Sequence, residues 1–286
     1  MGDEICPLPT VHRDLKGTGP SPAGSVTDQN DAARRRLLSL PGEPLFIADW
    51  ERLLLIHYEV DASALQRVVP FELDLYLGRA FVSAVAFTMR EMRPRFGGRW
   101  GAWLLKPIAT HHFLNVRTYV RHDGEAGIYF MTEWLTNRLS VLLEQRTFGL
   151  PYRLGRILYR NPTVAAMSGE VEDTGRGGAF AFRARLALEG GLRPCEPGSL
   201  CEWLMERYTA YTHRRGMRRF FRVWHRPWVQ VAAKVEVSEQ SLLERNWEFF
   251  RGAQPVGAHF SPGAHDVWMG WPHRVPMGRR KNHFYT

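Results

Sequence analysis

The 286 residues are 44% hydrophobic and 12% aromatic, with a formal net charge of +9; that is a globular balance, long enough to bury a substantial core and not a disordered one. Of the 38 basic residues all but Lys16, Lys106, Lys234 and Lys281 are arginines, spread along the chain without a recognition helix, finger or aromatic platform, so the charge does not argue for a nucleic-acid partner. No apolar run approaches the roughly 18 residues of a membrane span, and Asp3, Glu4 and Cys6-Pro7 near the start argue against a secretory signal, so a cytoplasmic protein with no membrane partner is expected.

In chain order, residues 1–40 are rich in Gly, Pro, Ser, Asp and Arg without apolar periodicity and read as a flexible basic tail. A single domain is expected over 41–275, entered through Pro41-Gly42-Glu43-Pro44. Phe46 to Val60 reads as a short helix or turn leading into a strand, and Asp61 as the N-cap of a helix over Ser63 to Val69, stopped by Pro70. Ala80 to Met89, apolar on both faces, reads as a buried central strand. Arg90 to Gly101 reads as a polar loop, with Trp100 and Trp103 exposed.

His111 to Val120 is the stretch around which the rest is arranged. As a strand it puts Leu114, Val116, Thr118 and Val120 on one face and Phe113, Asn115, Arg117 and Tyr119 on the other. Asp123-Gly124 signals a hairpin to Ile128–Leu135. Asn137 caps a predicted helix over Leu139 to Thr147, which ends at Gly149. Thr163–Glu172 and Ala179–Glu189 read as strands, and Ser199 to Glu202 is a capping box opening a helix over Leu200 to Tyr208. Phe220–Trp224 and Val229–Val237 read as a strand pair around Pro227, and Asp266–Met269 as the last ordered element before a basic tail over 276–286. Cys6, Cys195 and Cys201 are too few for a disulfide framework and read as free thiols. There is no βαβ period, no glycine-rich phosphate loop and no repeat. The expected fold is therefore α+β, a mainly antiparallel sheet curled into a barrel or cone with a few peripheral helices.

A guanidinium, an amide and a phenol on one strand face can line a cavity for an acidic ligand, with Arg117 as the anion clamp and Asn115 and Tyr119 orienting. The competing reading of Arg117 is a buried ion pair with Glu133 or Glu206. His57 and His225 are possible acid–base groups, as are Tyr119 and Glu133, against the commoner role of a half-buried side chain bonded to backbone. His111 and His112 point to opposite faces and cannot share a metal; His259, His265 and Asp266 lack a metal-ligand spacing, so no metal or other cofactor is expected. Ser261 precedes Pro262 and lacks a nucleophile elbow. Trp224, Trp228, Trp247 and Trp268 read as core or cavity wall.

An ordered set of short motifs resembles one family. Ile56-His57-Tyr58 and Ala84-Val85-Ala86-Phe87 come first, then Asn115-Val116-Arg117-Thr118-Tyr119-Val120 and Gly127-Ile128-Tyr129-Phe130. Gly149-Leu150-Pro151-Tyr152, Glu206-Arg207-Tyr208, His225-Arg226-Pro227-Trp228 and Phe260-Ser261-Pro262-Gly263 complete it. The set is similar to the domain of unknown function 2071 family, in the acetoacetate-decarboxylase-like superfamily. That resemblance implies a cone-shaped sheet with its ligand inside, and, for the decarboxylases, a Schiff-base lysine beside a second lysine. No lysine pair exists here, and Arg117 and Tyr119 stand on the matching strand; an arginine stays protonated and cannot be the amine. Lys106 and Lys234 sit elsewhere. The family's aspartate after the aromatic pair is displaced to Glu133, which on a regular strand faces the other way, so no role is carried across. The resulting expectation is binding of a small acidic or carbonyl-containing molecule in the sheet cavity. The alternatives are a lyase-type or proton-transfer enzyme without a Schiff-base lysine, and a non-catalytic interaction module. Oligomeric state is left open.

Overall fold

The computed structural model describes residues 26–275, the side chains of 143–147 excepted. The termini outside that range, with Cys6, Lys16, Lys281 and the basic tail over 276–286, lie outside the described residues.

The chain runs α1 (Val26–Leu38), β1 (Phe46–Val60), α2 (Ala62–Val68), β2 (Glu72–Leu73), β3 (Ala80–Pro94), α3 (Gly98–Leu105), a 3-10 turn (Lys106–Ile108), β4 (His111–His122) and β5 (Glu125–Leu135). It continues through α4 (Arg138–Thr147), β6 (Tyr152–Thr163), β7 (Ala166–Asp173), β8 (Ala179–Leu186), β9 (Arg193–Pro194) and α5 (Leu200–Met205). Last come β10 (Thr209–Arg214), β11 (Met217–Trp224), β12 (Val229–Glu239), α6 (Ser241–Glu244), β13 (Pro255–Met269) and β14 (His273–Arg274).

The pairing closes twice. Strands β5, β6, β7, β8, β12, β13, β1, β3 and β4 form a nine-strand ring, mixed because β5 and β6 run parallel. The same β13, β1, β3, β4 and β5 also close a seven-strand ring through β10 and β11, with β5 parallel to β10 and β11 on β13. Five strands are thus shared, one face looking into each ring. Leu54, Ile56, Val82, Ala84, Leu114, Val116 and Trp134 pack into one core with Phe180, Phe182 and Phe260. Leu53, Leu55, Phe81, Val85, Phe113 and Tyr119 pack into the other with Phe130, Phe221 and Val223. A strand buried on both faces has no polar alternation, which explains the continuous apolar run Ala80–Met89, every residue of it buried.

Expected caps are present. Asp61 Oδ1 accepts from Ala64 N at 2.7 Å, Asn137 Oδ1 from Leu139 N at 2.9 Å, and Ser199 Oγ from Glu202 N at 3.2 Å. The β4–β5 hairpin turns through Asp123 and Gly124 at φ 48° and 80°, as a mirror-image two-residue turn requires.

Several expectations need correction. Residues 26–38 of the expected tail form α1, because Val26, Asn30, Ala33 and Leu37 recur at helical spacing and are buried. Phe46–Val60 is one continuous strand, extended from its first residue by pairing with both β3 and β13. The expected loop after Met89 is strand to Pro94 and then α3. Strand β6 was not legible, since its outer half is exposed and lacks an alternating apolar face. Strands β11 and β12 do not pair with each other: β11 joins β10 and β13, and β12 joins β8 and β13. The last strand begins at Pro255, well before Asp266. Cys195 and Cys201 are not free thiols but a disulfide, because the turn into α5 brings their Cα atoms to 5.6 Å.

Candidate functional site

Two adjoining cavities, of about 60 and 30 Å³, open inside the seven-strand ring. Trp50, Phe87, Asn115, Phe130 and Val223 wall both. The larger is lined by rings, among them Phe113, Phe148, Tyr152 and Phe221, with Glu133. The smaller adds Arg117, Arg207, Thr209, His225 and Trp228. A single water needs about 10–15 Å³, so this is space of small-molecule size, too small for a nucleotide. Both cavities lie on the seven-strand side of β4.

Strand alternation puts Asn115 and Arg117 there, one face away from Leu114 and Val116. Glu133 joins them through a β-bulge. Asn115 pairs with Glu133 and Val116 with Thr132, but Arg117 pairs with Phe130, so Met131 is the extra residue. The bulge lets Glu133 and Phe130, three apart, line the same chamber.

Arg117 pairs with neither Glu133 nor Glu206 among the described salt bridges. Its Nη2 donates to Leu204 O at 3.4 Å, and its Nε is buried with no acceptor among the described residues. Arg207, which enters from the end of α5, donates through Nη1 to Asp74 at 2.7 Å and through Nε to Trp203 O at 2.7 Å, while its Nη2 is buried without an acceptor among the described residues. The Oδ1 of Asn115 is also buried without a donor among the described residues. With the buried Nε1 of Trp50, four wall residues of one small chamber thus carry hydrogen-bonding atoms unmet among the described residues, two of them on cations. Buried polar atoms are rarely left so, and each unmet one costs free energy.

His225 lies in the same wall. Its Nδ1 donates to Arg226 O at 2.8 Å, its ring stacks 4.2 Å from that of Trp228, and burial, aided by the nearby Arg117 charge, pushes its pKa down to about 4. A neutral ring that donates from Nδ1 leaves Nε2 as a lone-pair acceptor. Glu206, the other imagined partner of Arg117, instead accepts from Tyr208 Oη at 2.5 Å and from Trp228 N at 2.8 Å; burial raises it to about 7.

His57 and Tyr119 belong to a separate buried chain. Tyr119 Oη donates to Leu204 O at 3.1 Å and lies 2.7 Å from Ser83 Oγ; Ser83 Oγ lies 2.8 Å from His57 Nδ1, and His57 Nε2 lies 3.0 Å from His259 Nδ1. A carbonyl can only accept, so that one end fixes every proton: Ser83 donates to Tyr119, His57 Nδ1 to Ser83, and His259 Nδ1 to His57. Burial keeps both histidines neutral, His57 well below its usual range; a proton on His57 would also face His259 and the Arg117 guanidinium. Tyr119 is not among the residues that wall either chamber; it lies under Trp203, ring centroids 4.4 Å apart.

The remaining histidines are dispersed. His111 is buried and pushed to about 4, chiefly by burial; His112 lies 2.9 Å from Thr88 Oγ1. His265 lies 2.8 Å from Asp49 on the surface. Ser261, buried within β13, accepts at Oγ from Gly263 N at 3.2 Å. The guanidinium of Arg34 in α1 lies over the adjoining rings of Trp224 and Trp268, 5.4 and 5.3 Å from their centroids. Lys106 and Lys234 are both exposed, so no described lysine lines the chamber. Sequence reading missed Arg207 and Ser83. Arg207 had a signal, since it follows the best-capped helix and sits inside a quoted motif; Ser83, inside an apolar run, had none.

A family model for uncharacterised conserved proteins, domain of unknown function 2071, matches residues 47–265. The uncharacterised protein YqjF of Bacillus subtilis is 30% identical over 199 residues, 68% of this chain and 78% of that one. An acetoacetate decarboxylase-like enzyme from Sphingomonas wittichii superposes with a TM-score of 0.58 at 15% identity, covering 82% of this chain and 94% of the other. Acetoacetate decarboxylase from Legionella pneumophila gives 0.56 at 12%, covering 85% and 95%. The enduracididine biosynthesis enzyme MppR, solved with pyruvate, gives 0.55 at 12%, covering 81% and 90%. At such identities these three establish a shared fold.

Proposed function

This chain belongs to the domain of unknown function 2071 family, and from that premise and the chemistry of the chamber we propose that it captures a small carboxylic acid, with a carbonyl beside the carboxylate, inside the seven-strand ring. The observation that carries this is the set of unmet atoms on Arg117, Arg207 and Asn115 in one enclosed space. A carboxylate supplies acceptors to both guanidiniums, where geometry and charge make such hydrogen bonds strong. Asn115 orients the remainder of the molecule, and the aromatic walls accept a short apolar end. That a fold neighbour was solved with pyruvate supports this ligand size and class.

A second reading has its own observation. His225 offers a neutral acceptor nitrogen beside Arg117, and Glu133 lies in the same cavity system. Those groups suit abstraction of a proton next to a carbonyl whose charge the arginines stabilise, a lyase-type or enolising reaction that needs no Schiff base.

Thermal-shift titration of wild type, Arg117→Gln and Asn115→Ala against pyruvate, acetoacetate, acetate and phosphate tests the binding. A ligand present at about 100 times its Kd adds about 2.7 kcal/mol of stability. The expected result is a shift by the oxo acids that Arg117→Gln loses while remaining folded. No shift by any carboxylate would overturn the reading. Solvent-deuterium exchange into the methyl of pyruvate, followed by NMR and lost in His225→Gln, separates the catalytic reading from binding alone.

A further inference from the structure

Helix α3 carries its apolar stripe on the outside. Trp100, Trp103 and Leu104 occupy i, i+3 and i+4, one face of a helix, which in a globular protein ordinarily faces the core. Here they are 80, 65 and 68% exposed, and no residue of α3 is buried. The orientation is built in, because Gly101 is the residue turned inward: a Cβ there would lie 2.7 Å from Pro94 Cγ and 3.1 Å from Phe96 O. Phe96, just before the helix, is 65% exposed. Leu139 and Leu142 on α4 are exposed as well, and α4 is tied to the turn after α3 by Asn137 Nδ2 donating to Pro107 O at 2.6 Å. Exposed apolar patches of this kind mark contact surfaces.

The charge around the patch selects the contact. From Met92 to His122 the chain contains no Asp or Glu. Arg95, Arg99 and Lys106 are exposed around the rings, and the guanidinium of Arg95 lies 5.1 Å from the ring of Phe96. We propose that this corner docks on a membrane surface bearing anionic lipid. Trp100, Trp103, Leu104 and Phe96 enter the boundary between headgroups and acyl chains, and the three bases meet lipid phosphates. A second copy of the same face fits less well, because two-fold pairing sets Arg95, Arg99 and Lys106 against their own counterparts. The sequence criterion that excluded membranes counts long apolar runs; an eight-residue helix lying in the interface leaves none.

Flotation of the full chain with liposomes tests this, using phosphatidylcholine alone and phosphatidylcholine mixed with phosphatidylglycerol. Wild type is expected to float with the mixed vesicles only, less so as salt is raised. Trp100→Ser/Trp103→Ser is expected to weaken this by at least about tenfold with its melting temperature unchanged, and Arg95→Gln/Arg99→Gln to weaken it and flatten the salt dependence. Leu104→Glu, a single exposed change, serves should the tryptophan pair disturb folding. Absence of flotation at low salt overturns the proposal. So does flotation that the tryptophan and leucine variants leave intact, which would assign it to net charge alone. A dimer in light scattering that Trp100→Ser/Trp103→Ser dissociates would identify a second copy as the occupant instead.

Discussion

At the scale of single residues, burial of histidine sets how the protein answers acid. His225 titrates near 6.5 unfolded and near 4 folded. Above 6.5 both states are neutral and its stabilising effect is complete; as pH falls toward 4 the unfolded chain takes up a proton that the folded one refuses, and stability is lost. A displacement of that size amounts to about 3 kcal/mol across the window. His111, also near 4, acts in the same direction. Glu206, raised to about 7, opposes them, since its contribution is complete below about 4.5 and lost as pH rises through 7. The histidines outnumber it, so urea midpoints should fall from pH 6.5 to 5, and His225→Gln should fall less steeply over that range. The face of β4 that holds Asn115 and Arg117 was legible from alternation alone. The register of Glu133 was not, because a bulge is set by where two strands must meet and not by the residues of one. The pairing of Tyr119 with Ser83 was hidden for a similar reason: a serine in a central strand declares its partner only once the neighbouring strand is in place.

Among the elements, α1 shows what a composition rule overlooks. Asn30 Nδ2 donates to His225 O at 2.6 Å and to Tyr208 Oη at 3.0 Å, and its Oδ1 accepts from Trp224 Nε1 at 3.1 Å. One side chain therefore fastens the helix over the end of β11. Asn30→Ala leaves those groups buried and unmet, an expected cost of about 1–3 kcal/mol, read as a lower Tm and faster amide exchange over 26–38. The signal was a four-position stripe inside a segment whose Gly and Pro content suggested disorder. The junction of β5 with β10 is as tight. A Cβ at Gly127 would lie 2.4 Å from Thr209 O and 2.7 Å from the Tyr211 ring, so Gly127→Ala should cost about 1–3 kcal/mol and weaken ligand-induced stabilisation along with it, since this pairing closes the ring around the chamber. Capped helices and the β4–β5 hairpin were readable because their determinants lie within a few residues of one another. The partners of β11 and β12 were not, because each lies across a ring.

For the molecule as a whole, the class and the curled sheet followed from many short strands without a βαβ period, whereas the double closure depends on five strands serving two interiors. Strand β1 lies at the centre of that arrangement, and its long partner β13 is encoded almost at the other end: Phe46 meets Met269 and Leu54 meets Phe260. Deleting residues 255–286 removes β13 and should leave a chain without cooperative unfolding, checked by far-ultraviolet dichroism against urea. There is also a consequence in time. Pairings so distant in sequence form slowly, and a ribosome adds about 5–20 residues each second. From Val60 to Pro255 the growing polypeptide therefore waits about 10 to 40 s with an open β1 edge, exposed to any other nascent strand. Slowed translation prolongs that wait, so yield of native protein should depend on holding chaperones more than on the stability of the finished fold.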